Sequence, residues 1–156
     1  MPHVVVERTL RTDGPAATME LAARLGARAR AGDLICLHGD LGVGKTVFAK
    51  GFGAGLGVRE AIVSPSFILM AEYEGRLPLF HLDLYRLHDA AEAIEGGLLD
   101  EREADGVTII EWADRLGAAT PASRLDVRID GSGDEPRVIR ISAADDRHLH
   151  YLEALP

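Results

Sequence analysis

The 156-residue sequence has one cysteine and contains neither asparagine nor glutamine. A single cysteine, Cys36, excludes an internal disulfide and a cysteine-based zinc site, and a reducing cytoplasm is its simplest setting. Because the chain has no amide side chains, it cannot use them to read a nucleic-acid base or to position a water molecule. Apolar runs such as residues 67–71 fall well short of the roughly 20 residues that a membrane-spanning helix needs, so we expect no membrane segment.

Charge and composition are typical of an acidic globular protein. The formal net charge is −8 and the sequence pI is about 5.2, with 47% hydrophobic and 27% charged residues. Such a chain lacks the cationic footprint with which nucleic-acid-binding proteins displace counterions, so we expect any contact with RNA to go through a partner. The sequence shows no repeat and no linker, and we expect one domain over residues 1–156.

Apolar patterning predicts strands and helices along the whole chain. The predicted strands lie at 4–6, 34–37, 67–73, 77–84, 107–110, 124–130 and 138–141. Helices are predicted at 16–30, at 143–155, and along the stripe Phe48, Phe52 and Leu56, with Gly57 as the C-cap. The acidic stretch 89–105 is typical of a solvated helical face, and a partner-facing acidic surface is the alternative.

Residues 39–46 read G-D-L-G-V-G-K-T and match the motif G-x-x-x-x-G-K-[ST] at every fixed position. Glycines let successive backbone N–H groups turn towards phosphate oxygens, and the following helix adds the positive end of its dipole. Lys45 is predicted to bridge the β- and γ-phosphates, and the Thr46 hydroxyl to ligate Mg²⁺. A glycine-rich turn with a solvated lysine is the alternative. The motif predicts a nucleotide site formed by Gly39, Asp40, Leu41, Gly42, Val43, Gly44, Lys45 and Thr46.

A phosphate loop of this kind needs an acidic residue on a neighbouring strand to hold the metal. Glu111 follows the apolar run 107–110, and Asp83 alternates with His81 and Tyr85 along its predicted strand. We assign water activation to Asp83 and the metal to Glu111, although the two roles could be exchanged. The chain has no glutamine to orient the attacking water and no asparagine for the guanine-reading N-K-x-D motif. We therefore expect a carboxylate or a hydroxyl to act on the water, and ATP to be preferred over GTP.

Other residues near these motifs fit more than one role. The segment 64–67, S-P-S-F, is interpreted either as a loop that senses the γ-phosphate or as a plain turn before a strand. His38 is expected to end its strand rather than to catalyse, and Trp112 to be a core or interface residue. His148 and His150 would point to different sides of a helix, so we do not interpret them as metal ligands.

Four segments in this order resemble the TsaE family, the small bacterial ATPases of tRNA threonylcarbamoyladenosine biosynthesis. They are G-D-L-G-V-G-K-T at 39–46, S-P-S-F at 64–67, H-L-D-L-Y-R at 81–86 and I-I-E-W at 109–112. The resemblance implies an α/β fold, a P-loop NTPase-type three-layer sandwich whose mostly parallel sheet has antiparallel edge strands. It also implies ATP and Mg²⁺ as cofactors, with weak ATPase activity in isolation.

The resemblance further implies partners. TsaE-like proteins act with the TsaD–TsaB pair, which transfers a threonylcarbamoyl group to the adenosine beside the anticodon. Their ATP cycle supports turnover of that machinery without performing the transfer. The tRNA would be held mainly by the partners, which agrees with the acidic charge of this chain.

Matched residue by residue, the resemblance implies that Lys45 and its loop hold phosphates and that Thr46 and Glu111 serve the metal. Asp83 is required near the γ-phosphate, and Trp112 follows Glu111 beside the site.

Three further positions come from the same motifs. Ser66 occupies a switch position where the family usually has threonine, so the hydroxyl is kept and the stiffness of the β-branch is lost. Tyr85 and Arg86 are placed near the site. Arg86 is a candidate arginine finger in cis, and a partner could equally supply one.

Two other functions remain compatible with the phosphate loop. A small-molecule kinase of this size usually carries an arginine-rich lid, whereas the stretch 89–105 is acidic and has a single arginine. A nucleotide-gated binding module without significant turnover differs from an ATPase only in its rate of hydrolysis. Loss of hydrolysis with retained binding in Asp83→Ala would favour the ATPase.

Overall fold

The computed structural model describes residues 5–40, 42–63, 70–85, 105–143 and 145–156, and it centres on one seven-stranded sheet. The order across the sheet is β1-β7-β6-β2-β5-β4-β3. The central strands β6, β2, β5 and β4 run parallel, and antiparallel strands flank them on both sides, which confirms the predicted α/β fold class. The strands are β1 (Val6–Thr12), β2 (Leu34–His38), β3 (Met70–Glu74), β4 (Pro78–Asp83), β5 (Val107–Glu111), β6 (Leu125–Asp130) and β7 (Arg137–Ala143).

The register of the central strands brings three strand ends together. Leu37 of β2 is paired with Glu111 of β5, and Glu111 is paired in turn with Asp83 of β4. Because the carboxyl ends of parallel strands meet at the same edge of a sheet, the chain that leaves β2 passes beside both carboxylates. The fold therefore places the loop 39–46 at this edge.

Two helices, α1 (Pro15–Gly26) and α2 (Lys45–Gly55), cover one face of the sheet and pack closely against each other. A Cβ built on Gly55 would lie 2.0 Å from the carbonyl oxygen of Ala23, so only glycine permits this approach. Gly51 and Gly55, which weaken α2 as an isolated helix, are thus required by its contact with α1. In the described residues, no helix is both long and apolar enough to cross a membrane.

The opposite face of the central strands carries a second, smaller core. Apolar side chains of β2, β4 and β5 pack there against Ala113 and Leu116 of a 3-10 helix, Ala113–Ala119. Burial raises the pKa of the Cys36 thiol, which belongs to this core, to about 12, so the thiol stays protonated at neutral pH. The sheet is therefore the middle layer of three, as the resemblance implied.

A buried polar cluster around Asp33 fastens the C-terminal helix α3 (Leu149–Glu153) to the amino end of β2. The hydroxyl of Tyr151 donates to Asp33 Oδ2. His148 Nε2 lies 3.9 Å from Asp33 Oδ1, and His150 Nε2 lies 3.5 Å from Asp33 Oδ2. The expectation that the two histidines point to different sides is wrong, because His148 ends a short 3-10 turn before α3 begins.

Several predicted boundaries differ from the structure. The first strand is predicted at 4–6, whereas β1 runs from Val6 to Thr12, because pairing with β7 rather than apolar character defines it. The helix predicted at 143–155 starts later, since Ala143 still belongs to β7. The helix predicted at 16–30 ends at Gly26. Residues 67–69 of a predicted strand and residues 89–104 of the acidic stretch lie outside the described residues.

Replacing Gly55 by alanine tests whether the contact between α1 and α2 outweighs helix propensity. Alanine favours a helix by about 1 kcal/mol over glycine, but here its Cβ would meet backbone atoms of α1. We expect Gly55→Ala to lower the free energy of unfolding in urea by about 1–3 kcal/mol, the usual cost of overpacking.

Gly53→Ala is the matched control in the same helix. Its Cβ would meet the end of the Ile62 side chain, which can move aside, so Gly53→Ala should cost less than Gly55→Ala. A Gly55→Ala protein that is as stable as Gly53→Ala, or more so, would contradict this account of the helix contact.

Candidate functional site

The loop 39–46 connects the end of β2 to the start of α2, and all of it except Leu41 lies within the described residues. Gly39 has a φ of +145°, and a Cβ at this position would lie 2.5 Å from the carbonyl oxygen of Ile129. Gly44 has a φ of +117° directly before α2. Both backbone conformations favour glycine, which explains the two fixed glycines of the motif.

The first turn of α2 has neither a side-chain cap nor an acidic residue. Its first backbone N–H groups therefore have no acceptor within the helix, and the helix dipole makes this end positive. Lys45 adds a cationic side chain at the first position of the helix. A helix end of this kind binds anions, and phosphate in particular.

Lys45 is only 5% exposed, and two contacts hold its ammonium group. Nζ donates to the carbonyl oxygen of Gly39 at 2.6 Å and lies 3.4 Å from the centroid of the Trp112 ring. Burial lowers the pKa of Lys45, and the carboxylates of Glu111 and Asp83 oppose this shift. Because a desolvated ammonium group gains strongly from a nearby anion, Lys45 is placed to bind phosphate.

Thr46 and Glu111 are in direct contact. Thr46 Oγ1 donates to Glu111 and lies 3.1 Å from Oε1 and 3.3 Å from Oε2. Glu111 is also hydrogen-bonded to His81, whose Nε2 lies 2.6 Å from Oε2. Both Glu111 and His81 are buried, so this chain of contacts holds the carboxylate in one orientation towards Thr46. A hydroxyl beside a carboxylate is the pair of oxygen ligands that Mg²⁺ uses in phosphate-loop enzymes.

Asp83 is buried at the end of β4, directly opposite Glu111 on the neighbouring strand. The backbone N–H of Tyr85 donates to Asp83 Oδ1 at 3.0 Å. Within the described residues, no group of three or more His, Cys, Asp and Glu side chains is arranged to hold a metal ion. A metal at this edge of the sheet would therefore take further oxygen ligands from bound phosphates or water.

Trp112 has a left-handed backbone with φ 60°, the one positive φ outside glycine in the described part of the chain. Such strain costs about 1–3 kcal/mol and persists where the surrounding structure holds it, often at functional sites. The indole ring contacts the ammonium of Lys45 and packs against the ring of Tyr85, with 5.1 Å between the two ring centroids. The strained residue thus places an aromatic ring beside the phosphate loop.

A cleft of about 290 Å³ opens beside the loop. Its three walls come from the start of α1 (residues 13–18), the loop and first turn of α2 (residues 42–47), and the turn before β7 (residues 133–137). The Thr12 and Thr18 hydroxyls are 2.7 Å apart and hold the first wall together. Because the walls are distant in sequence, the motifs gave no indication of this cleft.

Sequence reasoning missed two residues that contact the site. His81 alternates with Asp83 on β4, so its place on the same face as Asp83 was a usable signal for its contact with Glu111. Arg137 donates to the carbonyl oxygen of Val43 from 94 residues away, and no motif connects the two positions.

The remaining candidates lie elsewhere. His38 ends β2 as expected, and its Nε2 lies 2.8 Å from Asp126 Oδ1. His148 and His150 belong to the cluster around Asp33 at the amino end of β2. Ser66 and Arg86 lie outside the described residues, so their roles as a switch and as an arginine finger stay predictions.

The contact between Lys45 and Trp112 predicts an optical signal, because Trp112 is the only tryptophan in the chain. A phosphate that binds Lys45 changes the environment of the indole ring. We expect a saturable change in tryptophan emission on titration with ADP, with the same midpoint as calorimetric binding. Lys45→Met should remove the change even at saturating ADP. Unchanged emission in the wild-type protein at saturation would contradict this geometry.

Comparisons with known proteins give consistent matches over most of the chain. The family model TsaE, "Threonylcarbamoyl adenosine biosynthesis protein TsaE", matches residues 12–139. The Bacillus subtilis protein named tRNA threonylcarbamoyladenosine biosynthesis protein TsaE is 40% identical over 146 residues, which cover 93% of this chain and 91% of the relative. A Nostoc protein of the same name is 46% identical over 123 residues, covering 76% and 74%. The crystal structure of Bacillus subtilis YdiB gives a TM-score of 0.82 at 37% identity, covering 97% of this chain and 95% of that one. The chain belongs to the TsaE family of threonylcarbamoyl adenosine biosynthesis proteins.

Proposed function

We propose that this chain binds ATP with Mg²⁺ at the loop 39–46 and hydrolyses it as a cytoplasmic component of tRNA threonylcarbamoyladenosine biosynthesis, together with the TsaD–TsaB pair. The observation that carries the proposal is the direct contact of Thr46 with the buried carboxylate of Glu111, next to the phosphate loop. This contact places a hydroxyl, a carboxylate and the ammonium of Lys45 at one end of α2.

Binding of the phosphate part of ATP is supported by free backbone N–H groups and by a positive charge. The N-terminus of α2, which has no side-chain cap, offers N–H groups, and Lys45 offers a buried, desolvated ammonium group. Lys45 then exchanges its contacts with Gly39 and Trp112 for phosphate oxygens. These contacts are weak enough to be replaced, since a hydrogen bond contributes about 0.5–1.5 kcal/mol and a cation–π contact about 0.5–2 kcal/mol.

The donor set also fits Mg²⁺. Thr46 and Glu111 would hold the ion on the protein side, and Glu111 keeps its orientation through His81. A bound Mg²⁺ would supply neutralisation of the phosphate charge. Because the protein supplies few ligands, affinity for the metal and affinity for the nucleotide should depend on each other.

Asp83 is proposed to act on the attacking water. It is a buried carboxylate one strand away from Glu111, and a carboxylate can accept the proton that water loses. Glutamine, which positions water in Ras-like enzymes, is absent from the chain. The contact of Thr46 with Glu111 favours Glu111 for the metal, which leaves Asp83 for the water.

The cleft beside the loop is proposed to hold the nucleoside. Its volume of about 290 Å³ is close to the lower end of the usual range for ligand sites, and it is continuous with the loop. The cleft offers the base apolar surface such as Pro15 and Val47 and a hydroxyl from Thr18, but no amide side chain, since the chain has none. ATP is proposed over GTP because the guanine-reading asparagine is lacking.

The place in tRNA modification is supported by family membership over most of the chain. The net charge of −8 makes direct binding of tRNA unfavourable, so tRNA is proposed to be held by the partner proteins. TsaD and TsaB are proposed as those partners because the family resemblance implies them.

Phosphate release from ATP by the purified chain, alone and with a TsaD–TsaB pair, tests the proposal. We expect low basal turnover with Mg²⁺, and a rise of about tenfold or more when the pair is added. Lys45→Ala should reduce turnover by about 100-fold or more, because it removes a buried charge from the phosphate site.

Lys50→Ala is the matched control, since Lys50 is the only other lysine, lies in the same helix and is exposed. It should hydrolyse ATP like the wild-type chain. A rate of hydrolysis that does not change when the TsaD–TsaB pair is added would rule out the proposed partnership. Binding of ATP without any hydrolysis would instead favour a nucleotide-gated binding module.

Two isosteric substitutions separate the roles of the carboxylates. Asp83→Asn should lower ATP turnover by about 100-fold or more while ATP affinity stays within a few-fold of wild type, because only a proton acceptor is lost. Glu111→Gln should raise the Mg²⁺ concentration for half-maximal turnover by about 10–100-fold. The reverse pattern in the two variants would exchange the roles, and wild-type turnover in Asp83→Asn would exclude Asp83 from catalysis.

A further inference from the structure

Arg137, the first residue of β7, is half-buried and donates to three backbone carbonyl oxygens. Nε donates to Val43 at 2.8 Å, Nη1 to Glu135 at 2.6 Å and Nη2 to Gly133 at 3.1 Å. Val43 belongs to the phosphate loop, whereas Gly133 and Glu135 belong to the turn before β7. One guanidinium group therefore connects two segments that are far apart in sequence.

The two connected segments form two of the three walls of the cleft beside the loop. The planar guanidinium group donates in fixed directions, so it sets the distance between its carbonyl partners as well as joining them. Removing the side chain would remove the bond to Val43 in the loop together with the two bonds within the turn. The hydrogen bonds of Arg137 thus help to set both the shape of the cleft and the backbone conformation of the phosphate loop.

The bond to Val43 also sets the direction of a peptide group in the loop. A trans peptide is planar, and its C=O and N–H bonds point in opposite directions. The Val43 oxygen faces Arg137, so the N–H of Gly44 faces away from the arginine. Gly44 caps α2, where backbone N–H groups of a phosphate loop bind phosphate oxygens.

The hydrogen-bond partners of Arg137 carry no charge. Within the described residues Arg137 forms no ion pair, and its three hydrogen bonds all go to backbone carbonyl groups. Hydrogen bonds from an ionised donor are stronger than those between neutral groups, so the guanidinium group holds both segments firmly.

We propose that Arg137 is a positioning residue that couples the nucleoside cleft to the phosphate loop, so that the site favours nucleoside polyphosphates over inorganic polyphosphates. The proposal rests on the nucleotide site proposed above. Arg137 acts through the Val43–Gly44 peptide and through the turn.

Calorimetric binding of ADP and of pyrophosphate to the full chain tests the coupling. We expect Arg137→Ala to weaken ADP binding by about tenfold or more, since three hydrogen bonds are lost. Pyrophosphate binding should weaken by a smaller factor, so the ratio of ADP affinity to pyrophosphate affinity should be smaller in Arg137→Ala than in the wild-type chain. Arg140→Ala is the matched control, because Arg140 lies on the same strand, is exposed and carries the same charge. It should bind ADP within about twofold of wild type.

Arg137→Lys separates geometry from charge and also serves if Arg137→Ala fails to fold. One ammonium group cannot reproduce the planar fork, so Arg137→Lys should bind ADP within about threefold of Arg137→Ala. Wild-type affinity in Arg137→Lys would show that charge alone matters and would overturn the proposal. ADP affinity in Arg137→Ala equal to that of Arg140→Ala would overturn it as well.

Amide hydrogen exchange of the ligand-free chain tests, independently of nucleotide binding, whether Arg137 holds the phosphate loop and the turn before β7 together. In Arg137→Lys, exchange at residues 42–44 and 132–135 should be faster by about tenfold, while the core strands β2 and β5 exchange as in wild type. Unchanged exchange in both segments would overturn the proposal. Failure of the wild-type chain to bind either ADP or pyrophosphate would instead overturn the nucleotide site, and the exchange result would still decide whether Arg137 holds the two segments together.

Discussion

The register of three parallel strands is the constraint on which the site depends. Leu37, Glu111 and Asp83 stand in one row across β2, β5 and β4, so the loop that follows β2 begins beside two carboxylates. A slip of one residue in either pairing would turn a carboxylate to the other face of the sheet. Ile109 and Ile110 are buried in the two separate cores on opposite faces, so β5 is packed on both sides of the sheet. Within this packed strand, the hydrogen bonds of Glu111 to Thr46 and His81 hold its carboxylate at the sheet edge.

The balance of charge at this edge explains why a phosphate and a cation would be bound together. One ammonium, that of Lys45, faces the carboxylates of Glu111 and Asp83, so the protein alone brings an excess of negative charge. Phosphate alone would add to that excess, and a divalent cation alone would find few protein ligands among the described residues. A complex of the two suits the uncapped helix end on one side and the carboxylates on the other. The buried charges are thus complementary to a metal–nucleotide complex.

Local features could be predicted from the sequence, and long-range contacts could not. The motif located the loop 39–46, and apolar runs located β2 and β5. Both predictions succeed because glycine conformation and strand burial depend on residues that are neighbours in the sequence. Alternation placed Asp83 and His81 on one face, but the contact of His81 with Glu111 depends on the pairing of β4 with β5. Arg137 gave no signal, since its partner Val43 is 94 residues away. Gly51 and Gly55 weakened the prediction of α2 for a similar reason, because the close approach of α1 that requires them is not visible in the local sequence.

The resting contacts of Lys45 show how the loop stays both ordered and accessible. Its ammonium group donates to Gly39 and lies over the Trp112 ring, and among the described residues it forms no ion pair with Glu111. An ion pair buried at this position would be costly to break and would occupy the carboxylate that faces Thr46. A carbonyl and a ring hold the lysine by weaker contacts, and both could be given up to the proposed phosphate ligand without leaving a buried charge alone. The strained backbone of Trp112 has a physical reason in this arrangement: it keeps a neutral partner over the lysine and so leaves Glu111 to Thr46 and His81.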